Sequence, residues 1–270
     1  MNKEVIVRSI RSTFPLLVGV LTAGAATVLV LGQAPTLGYD DTPLQPDGKW
    51  RVHDSKRPRP AIVTPGSSAT AGPPSDAIVL VGAGSDLSRW QADDGAPASW
   101  PINDGVLQTG KGMLRTKAEF ADIQLHVEFA TPSSVKGDSQ GRGNSGVFLA
   151  GVFEIQVLDS YDNPTYADGQ AAAMYGQFPP LVNASRGPGQ WQTYDIVFTA
   201  PKFSASNQLV TPAVVTVIHN GVLVHNARAF WGPTAHRKID PYSSSTARGP
   251  LRLQDHGNPV HYRNIWLREI

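Results

Sequence analysis

The sequence predicts an all-β fold from about residue 76 onward, a sandwich or jelly roll of short strands. Short segments that are apolar, or that alternate apolar and polar residues, recur along this part of the chain, with Asp, Asn, Gly and Pro between them. No apolar stripe of helical period extends beyond a turn or two. Many short strands divided by turn residues are typical of β-sandwiches and jelly rolls.

Each strand can be placed on the sequence in turn. Residues 77–81 form a short apolar run that Gly82 ends, which is typical of a buried strand. Asn220 and Gly221 predict a two-residue hairpin between 214–219 and 222–225, because both residues tolerate the positive φ of a type I′ turn. The other predicted strands occupy residues 120–130, 146–158, 193–199, 251–255 and 265–270.

The first 34 residues have the order of a secretory signal peptide. Lys3, Arg8 and Arg11 precede an apolar run over 14–31, and Gly32-Gln33-Ala34 follows with small residues suited to cleavage. We therefore expect export to the periplasm or the extracellular space, with no stable membrane span after cleavage. The alternative is an uncleaved membrane anchor, because the apolar run approaches the length that spans a bilayer.

Residues 35–75 are rich in Pro, Gly, Asp and Ser and poor in aliphatic residues, which predicts an extended lead-in or linker. Arg57-Pro58-Arg59-Pro60 cannot continue a helix or a central strand. Trp50 and Val52 give the segment apolar groups to bury, so we expect it to touch the domain in places. The predicted organisation is a signal peptide (1–34), a lead-in (35–75) and one jelly-roll domain (76–270).

Composition excludes several classes of function. The 270 residues contain no cysteine, which rules out disulfides, cysteine nucleophiles and cysteine-bound metals. The formal net charge is +1, and the amino-terminal segment itself carries +2, so the cleaved chain is close to neutral. A nucleic-acid partner requires a dense basic face, and the sequence has none.

Three predicted strands carry an unusual set of polar side chains on one face. Side chains two residues apart on a strand point to the same face. The residues are Gln124, His126 and Glu128 in the first strand, Glu154 and Gln156 in the second with Asp159 just after it, and Arg252, Gln254 and His256 in the third. Such a face is either the solvated side of an ordinary antiparallel sheet or a site that holds sugar hydroxyls and moves a proton. If the strands lie side by side, Glu128, Glu154 and His256 converge on one concave sheet.

Several sequence blocks resemble, in the same order, those of a known enzyme family. The blocks are Asn144-Ser145-Gly146-Val147-Phe148-Leu149, Phe153-Glu154-Ile155-Gln156-Val157-Leu158-Asp159-Ser160-Tyr161, Tyr166-Ala167-Asp168-Gly169-Gln170, Tyr175-Gly176-Gln177, Trp191-Gln192-Thr193-Tyr194-Asp195 and Leu251-Arg252-Leu253-Gln254-Asp255-His256-Gly257. Gly38-Tyr39 and Lys49-Trp50-Arg51-Val52-His53-Asp54 resemble the lead-in of exported members. The family is that of the 3-keto-glucoside 1,2-lyase/3-keto-2-hydroxy-glucal hydratases, also described as 3-keto-disaccharide hydrolases.

The resemblance implies a concanavalin A-like jelly roll of two curved antiparallel sheets, with the ligand on the concave sheet. It also implies a small carbohydrate substrate, a glycoside already oxidised at C3 by a separate sugar 3-oxidoreductase. The ketone acidifies the C2 hydrogen, so a base can remove it, the C1 aglycone leaves by β-elimination, and water adds to the enone for net hydrolysis. The enolate needs a cation near the ketone oxygen, either Arg or a divalent metal ion.

Residue roles are expected from that chemistry. Glu154 or His256 is expected to move the proton, with Asp159 completing the catalytic set. The residues expected to bind substrate are His126, Glu128, Gln156, Arg252, Gln254 and Tyr175. A divalent metal ion would be held by Glu154, His126 or His256, because carboxylate and imidazole groups suit such ions. No other cofactor is expected.

Two other classes of function remain open at this point. A non-catalytic carbohydrate-binding module uses the same fold, and a fold does not settle a function. A conventional glycoside hydrolase is the second, since residues 154–159 are similar to the Glu-x-Asp-x-x-Glu strand of laminarinase-type glycosidases. Gln156 stands in place of the middle carboxylate and Asp159 in place of the last, which weakens a retaining mechanism that needs two carboxylates.

Overall fold

A computed structural model describes residues 37–67 and 72–270 of the chain. The described strands are β1 (Ala61–Ile62), β2 (Ile78–Val81), β3 (Trp90–Ala92), β4 (Ile102–Asn103), β5 (Val106–Gln108), β6 (Leu114–Phe120), β7 (Ile123–Ala130), β8 (Ser145–Leu149), β9 (Phe153–Val157), β10 (Val182–Asn183), β11 (Gln192–Thr199), β12 (Lys202–Phe203), β13 (Leu209–Thr211), β14 (Val214–His219), β15 (Val222–Ala229), β16 (Thr234–Ala235), β17 (Lys238–Ile239), β18 (Gly249–Leu253) and β19 (His261–Glu269). Single 3-10 turns lie at Ser139–Gly141, Ala167–Gly169 and Ser244–Thr246.

Two antiparallel sheets form the sandwich. The larger, eight-stranded sheet has the order β15-β14-β11-β7-β19-β5-β4, and β2 also pairs with β19. The smaller, five-stranded sheet has the order β3-β6-β18-β8-β9. Neighbours in both sheets are often distant in sequence, as in jelly rolls. The predicted all-β jelly roll of two antiparallel sheets is confirmed.

The core lies between the two sheets and follows from the alternation of the strands. On β7, Leu125, Val127 and Phe129 are fully buried, while the polar residues between them point away from the core. Phe153 of the smaller sheet packs on Phe198 of the larger, with ring centroids 5.6 Å apart. Burial of such aromatic rings is the main source of stability in a sandwich core.

The predicted hairpin at Asn220-Gly221 is present between β14 and β15. His219 pairs with Val222 across the turn, and both central residues have positive φ, 52° for Asn220 and 80° for Gly221. Two consecutive residues in the left-handed region define the type I′ turn, whose twist matches that of the strands.

The lead-in lies against the domain along its described part. Val52 is fully buried, as the sequence suggested, and Trp50 is half-buried. Further along, β1 pairs in parallel with β10, with Ala61 opposite Val182 and Ile62 opposite Asn183. This segment therefore joins the domain through both backbone and side-chain contacts.

The predicted signal peptide, residues 1–34, lies outside the described residues, and so does the apolar run over 14–31. Within residues 37–67 and 72–270, no helix has the length and apolar character needed to cross a membrane.

Candidate functional site

A cavity of about 490 Å³ opens on the outer face of the five-stranded sheet. Its floor is set by strand register, because Phe148 on β8 lies opposite Glu154 on β9, and Gly146 lies opposite Gln156. The neighbouring strand β18 brings Arg252 opposite Phe148. These residues share one face because they are two apart along their strands. The alternating pattern of β9 therefore places a carboxyl and an amide side by side.

Five parts of the chain form the cavity walls. They carry phenol, imidazole and amide groups, so the lining is mainly polar or aromatic. The wall residues are Tyr39 from the lead-in, Gln140 and Asn144 before β8, Tyr166 and Tyr175 after β9, Thr234, Ala235 and His236 at β16, and Gln254 and His256 after β18.

Glu154 is the chemically distinctive group of this cavity. Its side chain is almost completely buried, and this burial raises its pKa from the ordinary 4.5 to about 8. The Gln156 amide, with its nitrogen turned toward Glu154, lies 3.0 Å from Oε1 and 2.8 Å from the Ser145 carbonyl oxygen. A carboxyl with this pKa changes its protonation state near neutral pH, which is the range in which a general base works best.

Gly146 leaves the space that the Glu154 carboxyl occupies. A Cβ atom at this position would overlap Glu154 Oε1 and would lie 2.9 Å from Phe148 Cε2. Any side chain at Gly146 would therefore push the carboxyl or the Phe148 ring away. The glycine is required by a close approach and not by an unusual backbone angle.

A chain of hydrogen bonds runs through the aromatic wall. The Tyr166 and Tyr175 hydroxyls are 3.0 Å apart, and the Tyr175 hydroxyl is 3.1 Å from His236 Nδ1. His236 Nε2 lies 3.4 Å from the Tyr39 hydroxyl. Burial raises the pKa of Tyr175 above its ordinary value, so this phenol keeps its proton. The exposed imidazole of His236 links the phenol to solvent.

Two amide oxygens in the wall have no partner among the described residues. These are Asn144 Oδ1 and Gln254 Oε1, both buried from water. Buried polar atoms of folded proteins are nearly always hydrogen-bonded. Here both belong to residues that line the cavity, so a ligand hydroxyl could satisfy them after a small change of side-chain angle.

The structure brings together five of the sequence-predicted residues: Glu154, Gln156, Gln254, His256 and Tyr175. Arg252 lies at the edge of this group, with its guanidinium carbon 5.6 Å from the Phe148 ring centroid. Its nitrogens donate to the Gly151 carbonyl at 2.8 Å and to Asp93 at 2.6 Å. It therefore borders the cavity while being held by protein groups.

His126 and Glu128 lie elsewhere, so the expected convergence of Glu128 with Glu154 and His256 is wrong. Both residues are on β7, a strand of the eight-stranded sheet, and they point away from the core on the opposite side of the sandwich. There His126 Nδ1 lies 2.7 Å from Asp195 Oδ1, and Arg263 Nε donates to Glu128 Oε2 at 2.7 Å. Alternation identifies the outward face of a strand but does not say to which sheet the strand belongs.

Asp159 also lies outside the cavity that holds Glu154. Its carboxylate accepts a hydrogen bond from Arg142 Nε at 2.7 Å, and it lines a separate pocket of about 340 Å³ with Gly143 and Asn258. Desolvation raises the pKa of Asp159, and Arg142 opposes that rise. Asp159 stands two residues beyond the end of β9, where the strand no longer fixes the direction of its side chain, so Asp159 does not join Glu154 in the cavity as the sequence led us to expect.

The predicted metal ligands do not form a set. His126 is on the other sheet from Glu154 and His256, and no group of three or more His, Asp or Glu residues in the described part of the chain is arranged to hold a metal ion. Among the described residues that line the cavity, Glu154 is the single carboxylate. His126 therefore cannot join the expected ligand set, and a divalent ion held by Glu154 and His256 stays a prediction.

The sequence interpretation missed several wall residues, namely Tyr39, Tyr166 and His236. Tyr39 stands in a lead-in that composition marks as a linker, and His236 stands in a short turn segment with no strand pattern. The signal that could have found Tyr39 was its place in the Gly38-Tyr39 block, which resembles the lead-in of exported relatives.

The fold and the cavity define an antiparallel jelly-roll sandwich with a polar cavity on the face of one sheet. The sequence model of the 3-keto-alpha-glucoside-1,2-lyase-like domain matches residues 76–268, so the chain belongs to that family. Among curated proteins, none matches the chain.

Solved structures agree with this assignment. A candidate glycosyl hydrolase from Parabacteroides distasonis is 45% identical, covers 79% of this chain and 93% of its own, and superposes with a TM-score of 0.70. Two further candidate glycosyl hydrolases from that organism are 17% and 19% identical, each with a TM-score of 0.51; they cover 69% and 72% of this chain and 91% and 100% of their own. The last two share the fold. The chain is thus a glycosyl-hydrolase-like member of the family.

Proposed function

We propose that this protein is an exported enzyme that cleaves 3-keto-glycosides by elimination followed by addition of water. The observation that carries the proposal is the buried Glu154, whose pKa is raised to about 8 inside a polar cavity of a size that suits a sugar. A separate sugar 3-oxidoreductase would supply the C3 ketone. The family membership supports the substrate class, since the family is named for lyase activity on 3-keto-α-glucosides.

The first step is removal of the C2 proton by ionised Glu154. The electron pair of the C2–H bond enters the enolate of the C3 ketone, and the C1–O bond then breaks to leave a C1=C2 enone. The raised pKa makes Glu154 a stronger base than an exposed carboxylate, which favours abstraction from a weak carbon acid. Burial also keeps water from competing for the carboxylate.

The leaving aglycone oxygen requires a proton. Tyr175 keeps its proton because burial raises its pKa, and its hydroxyl is 3.1 Å from His236 Nδ1. We assign the proton donor role to this pair, with His236 returning a proton to Tyr175 from solvent. His256, which lines the same cavity and is exposed, is the second candidate.

Substrate hydroxyls would be held by the amides of Gln156 and Gln254 and by Asn144. The unpartnered oxygens of Asn144 and Gln254 would accept hydrogen bonds from hydroxyl groups, which removes the cost of leaving them unsatisfied. Arg252 borders the floor and could place positive charge toward the ketone oxygen, although its present partners are Asp93 and Gly151. In the last step, water adds to C1 and loses its second proton to solvent, and C2 receives a proton from Glu154 after this carboxyl has exchanged its hydrogen with solvent.

A non-catalytic binding module is less consistent with this cavity. A buried carboxyl that resists ionisation lowers the stability of the folded protein at every pH above the ordinary pKa of that carboxyl. A sugar binder gains nothing from that arrangement, because an exposed carboxylate or amide binds hydroxyls equally well. A proton-transfer site does require it.

A conventional glycoside hydrolase is also less consistent with these residues. Such enzymes place two carboxyls on either side of the glycosidic bond, about 5–10 Å apart. Among the described cavity residues, Glu154 has no second carboxylate to work with. The elimination route needs one base and a proton donor, and the cavity offers both.

The experiment is incubation of the protein with a 3-keto-glucoside and, separately, with the unoxidised parent glucoside, followed by mass spectrometry. From the first substrate we expect the free aglycone and 3-keto-glucose, with the 2-hydroxy-glucal ketone as an intermediate, and from the second substrate no product. Glu154→Gln should yield neither product. Equal cleavage of the unoxidised glucoside would favour the glycoside hydrolase, and tight binding of both sugars without turnover would favour the binding module.

A further inference from the structure

We propose that residues 37–57 of the lead-in are a built-in wall of the active site, in which His53 and Asp168 position the Tyr175–His236 pair. The proposal deepens the proposed function, because it assigns a role to residues that act on the same cavity. It concerns a part of the chain that precedes the matched family domain of residues 76–268.

Asp168 takes its side-chain partners from the lead-in. This carboxylate is fully buried in the 3-10 turn after β9. The backbone N–H of His53 donates to Oδ2 at 3.0 Å, the His53 ring nitrogen Nδ1 lies 3.1 Å from Oδ1, and Gln45 Nε2 donates to Oδ2 at 3.2 Å. Arg57 adds positive charge, with Nη1 3.9 Å from Oδ2. A buried carboxylate without such partners is strongly destabilising, so the loop that carries Asp168 depends on the lead-in.

The His53 ring lies at the centre of the aromatic wall. Its centroid is 4.2 Å from that of Tyr166, 4.8 Å from that of Tyr175 and 5.3 Å from that of His236. His53 is fully buried, so these rings enclose it. A change in the shape of His53 must therefore move the phenol and the imidazole that form the hydrogen-bonded pair.

Tyr39 connects the lead-in directly to the cavity. Its ring lines the cavity, and its hydroxyl lies 3.4 Å from His236 Nε2. The outer side is held by Arg237, whose guanidinium carbon is 4.2 Å from the ring centroid and whose Nη2 donates to Asp41 at 2.6 and 2.7 Å. Tyr39 is thus fixed from both sides.

The backbone of the lead-in is fitted to this position. His53 has a φ of 55°, in the left-handed region that residues with a side chain rarely adopt. Its carbonyl oxygen accepts a hydrogen bond from the Tyr39 N–H at 2.8 Å, and a Cβ at Gly38 would collide with that oxygen. Unfavourable backbone angles persist where many surrounding contacts hold the residue in place, and such positions are often found at functional sites. A simple tether that only covers a surface would not require them.

The test compares full-length Tyr39→Phe and His53→Gln with Lys49→Ala, an exposed residue of the same segment. Nitrogen-15 NMR of the His236 imidazole reports its hydrogen-bonded environment without any ligand. We expect the titration midpoint of His236 to move by about 0.5 pH unit or more in the first two variants and to stay unchanged in Lys49→Ala. An unchanged His236 signal in folded Tyr39→Phe and His53→Gln would overturn the proposal. If His53→Gln does not fold, Tyr39→Phe decides.

A second measurement separates this proposal from the proposed function. In a Glu154→Gln background, calorimetry gives the Kd for a 3-keto-glucoside and for its unoxidised parent. We expect Tyr39→Ala and His53→Gln to weaken binding of the keto-sugar about tenfold, with Lys49→Ala unchanged. A shift of the His236 titration midpoint in these variants, together with no binding of either sugar, would support the positioning role of the lead-in and count against the keto-sugar function. Unaltered sugar affinity in both variants would show that the wall does not contact the ligand.

Discussion

Replacement of Glu154 by Gln should make the protein more stable while removing its activity. The folded carboxyl has a pKa of about 8 against an ordinary value of 4.5, so the folded state retains a proton that the unfolded chain releases between these two pH values. Stability therefore falls as pH rises through that window, and the loss is complete above pH 8. Glutamine has nearly the same shape and no charge to bury.

The magnitude follows from the two pKa values. Compared with a carboxyl of ordinary pKa, Glu154 lowers the free energy of unfolding by about 1 kcal/mol at pH 5, about 3 kcal/mol at pH 7 and about 4 kcal/mol at pH 8. The stability advantage of Glu154→Gln over the wild type should thus grow by about 3 kcal/mol between pH 5 and pH 8. For a domain of this size, that corresponds to a difference in Tm of about 6–12 °C.

The assay is thermal unfolding of both proteins across pH 5–8, followed by far-ultraviolet circular dichroism. Other titrating groups are present in both proteins, so they cancel in the difference. A difference in Tm that does not change with pH would refute the burial argument for Glu154. A wild type that is the more stable protein at pH 8 would refute it as well.

Three further outcomes are expected. Gly146→Ala should lower kcat/KM in steady-state kinetics by at least about tenfold and change Tm little, because the new methyl group displaces the Glu154 carboxyl. Full activity of this variant would show that the position of the carboxyl is not critical. Glu128→Gln should reduce Tm, because it weakens the ion pair with Arg263 in the eight-stranded sheet, and it should leave kcat/KM within about twofold of the wild type. A large loss of turnover would show that Glu128 takes part in the reaction. Burial lowers the pKa of His225 to about 4, so the free energy of unfolding should fall as the pH drops from about 6.5 to 4. His225→Gln should remove up to about 3 kcal/mol of that loss, measured by unfolding at acid pH. The same loss of stability at acid pH in the variant would contradict this.

Much of the fold could be predicted because strand and turn signals are local. The alternation of β7 and the Asn220-Gly221 pair depend on neighbouring residues alone, and both appear in the structure as expected. The face that each polar residue occupies could also be predicted, because side chains alternate along any strand. Thus Glu154 and Gln156 share a face.

The sheet to which a strand belongs could not be predicted in this way. β7 and β9 carry similar polar patterns, yet β7 pairs with β11 and β19 in the larger sheet while β9 pairs with β8 in the smaller. Pairing partners far apart in sequence depend on the packing of the whole sandwich, which no local pattern encodes. For that reason His126 and Glu128 were grouped wrongly with Glu154.

The lead-in shows a second kind of gap between sequence and structure. Its Pro-rich composition predicts an extended segment, but residues 37–57 fold back on themselves: the Val52 N–H donates to the Pro43 carbonyl at 3.0 Å and the Gln45 N–H to the Trp50 carbonyl at 2.8 Å. Composition also does not say what the segment contacts. The buried His53 and its partner Asp168 are 115 residues apart, and their hydrogen bond becomes visible only in three dimensions. A lone histidine in a polar stretch carries no sequence signal of burial.

The most direct test of the central claim is cleavage of a 3-keto-glucoside in D₂O, with mass spectrometry and proton NMR of the released sugar. If Glu154 removes the C2 proton and water adds to the enone, the sugar released by the wild type carries deuterium at C2, and Glu154→Gln releases none. Release of aglycone with the C2 proton retained would contradict the elimination route. Full activity of Glu154→Gln would contradict the assignment of the base.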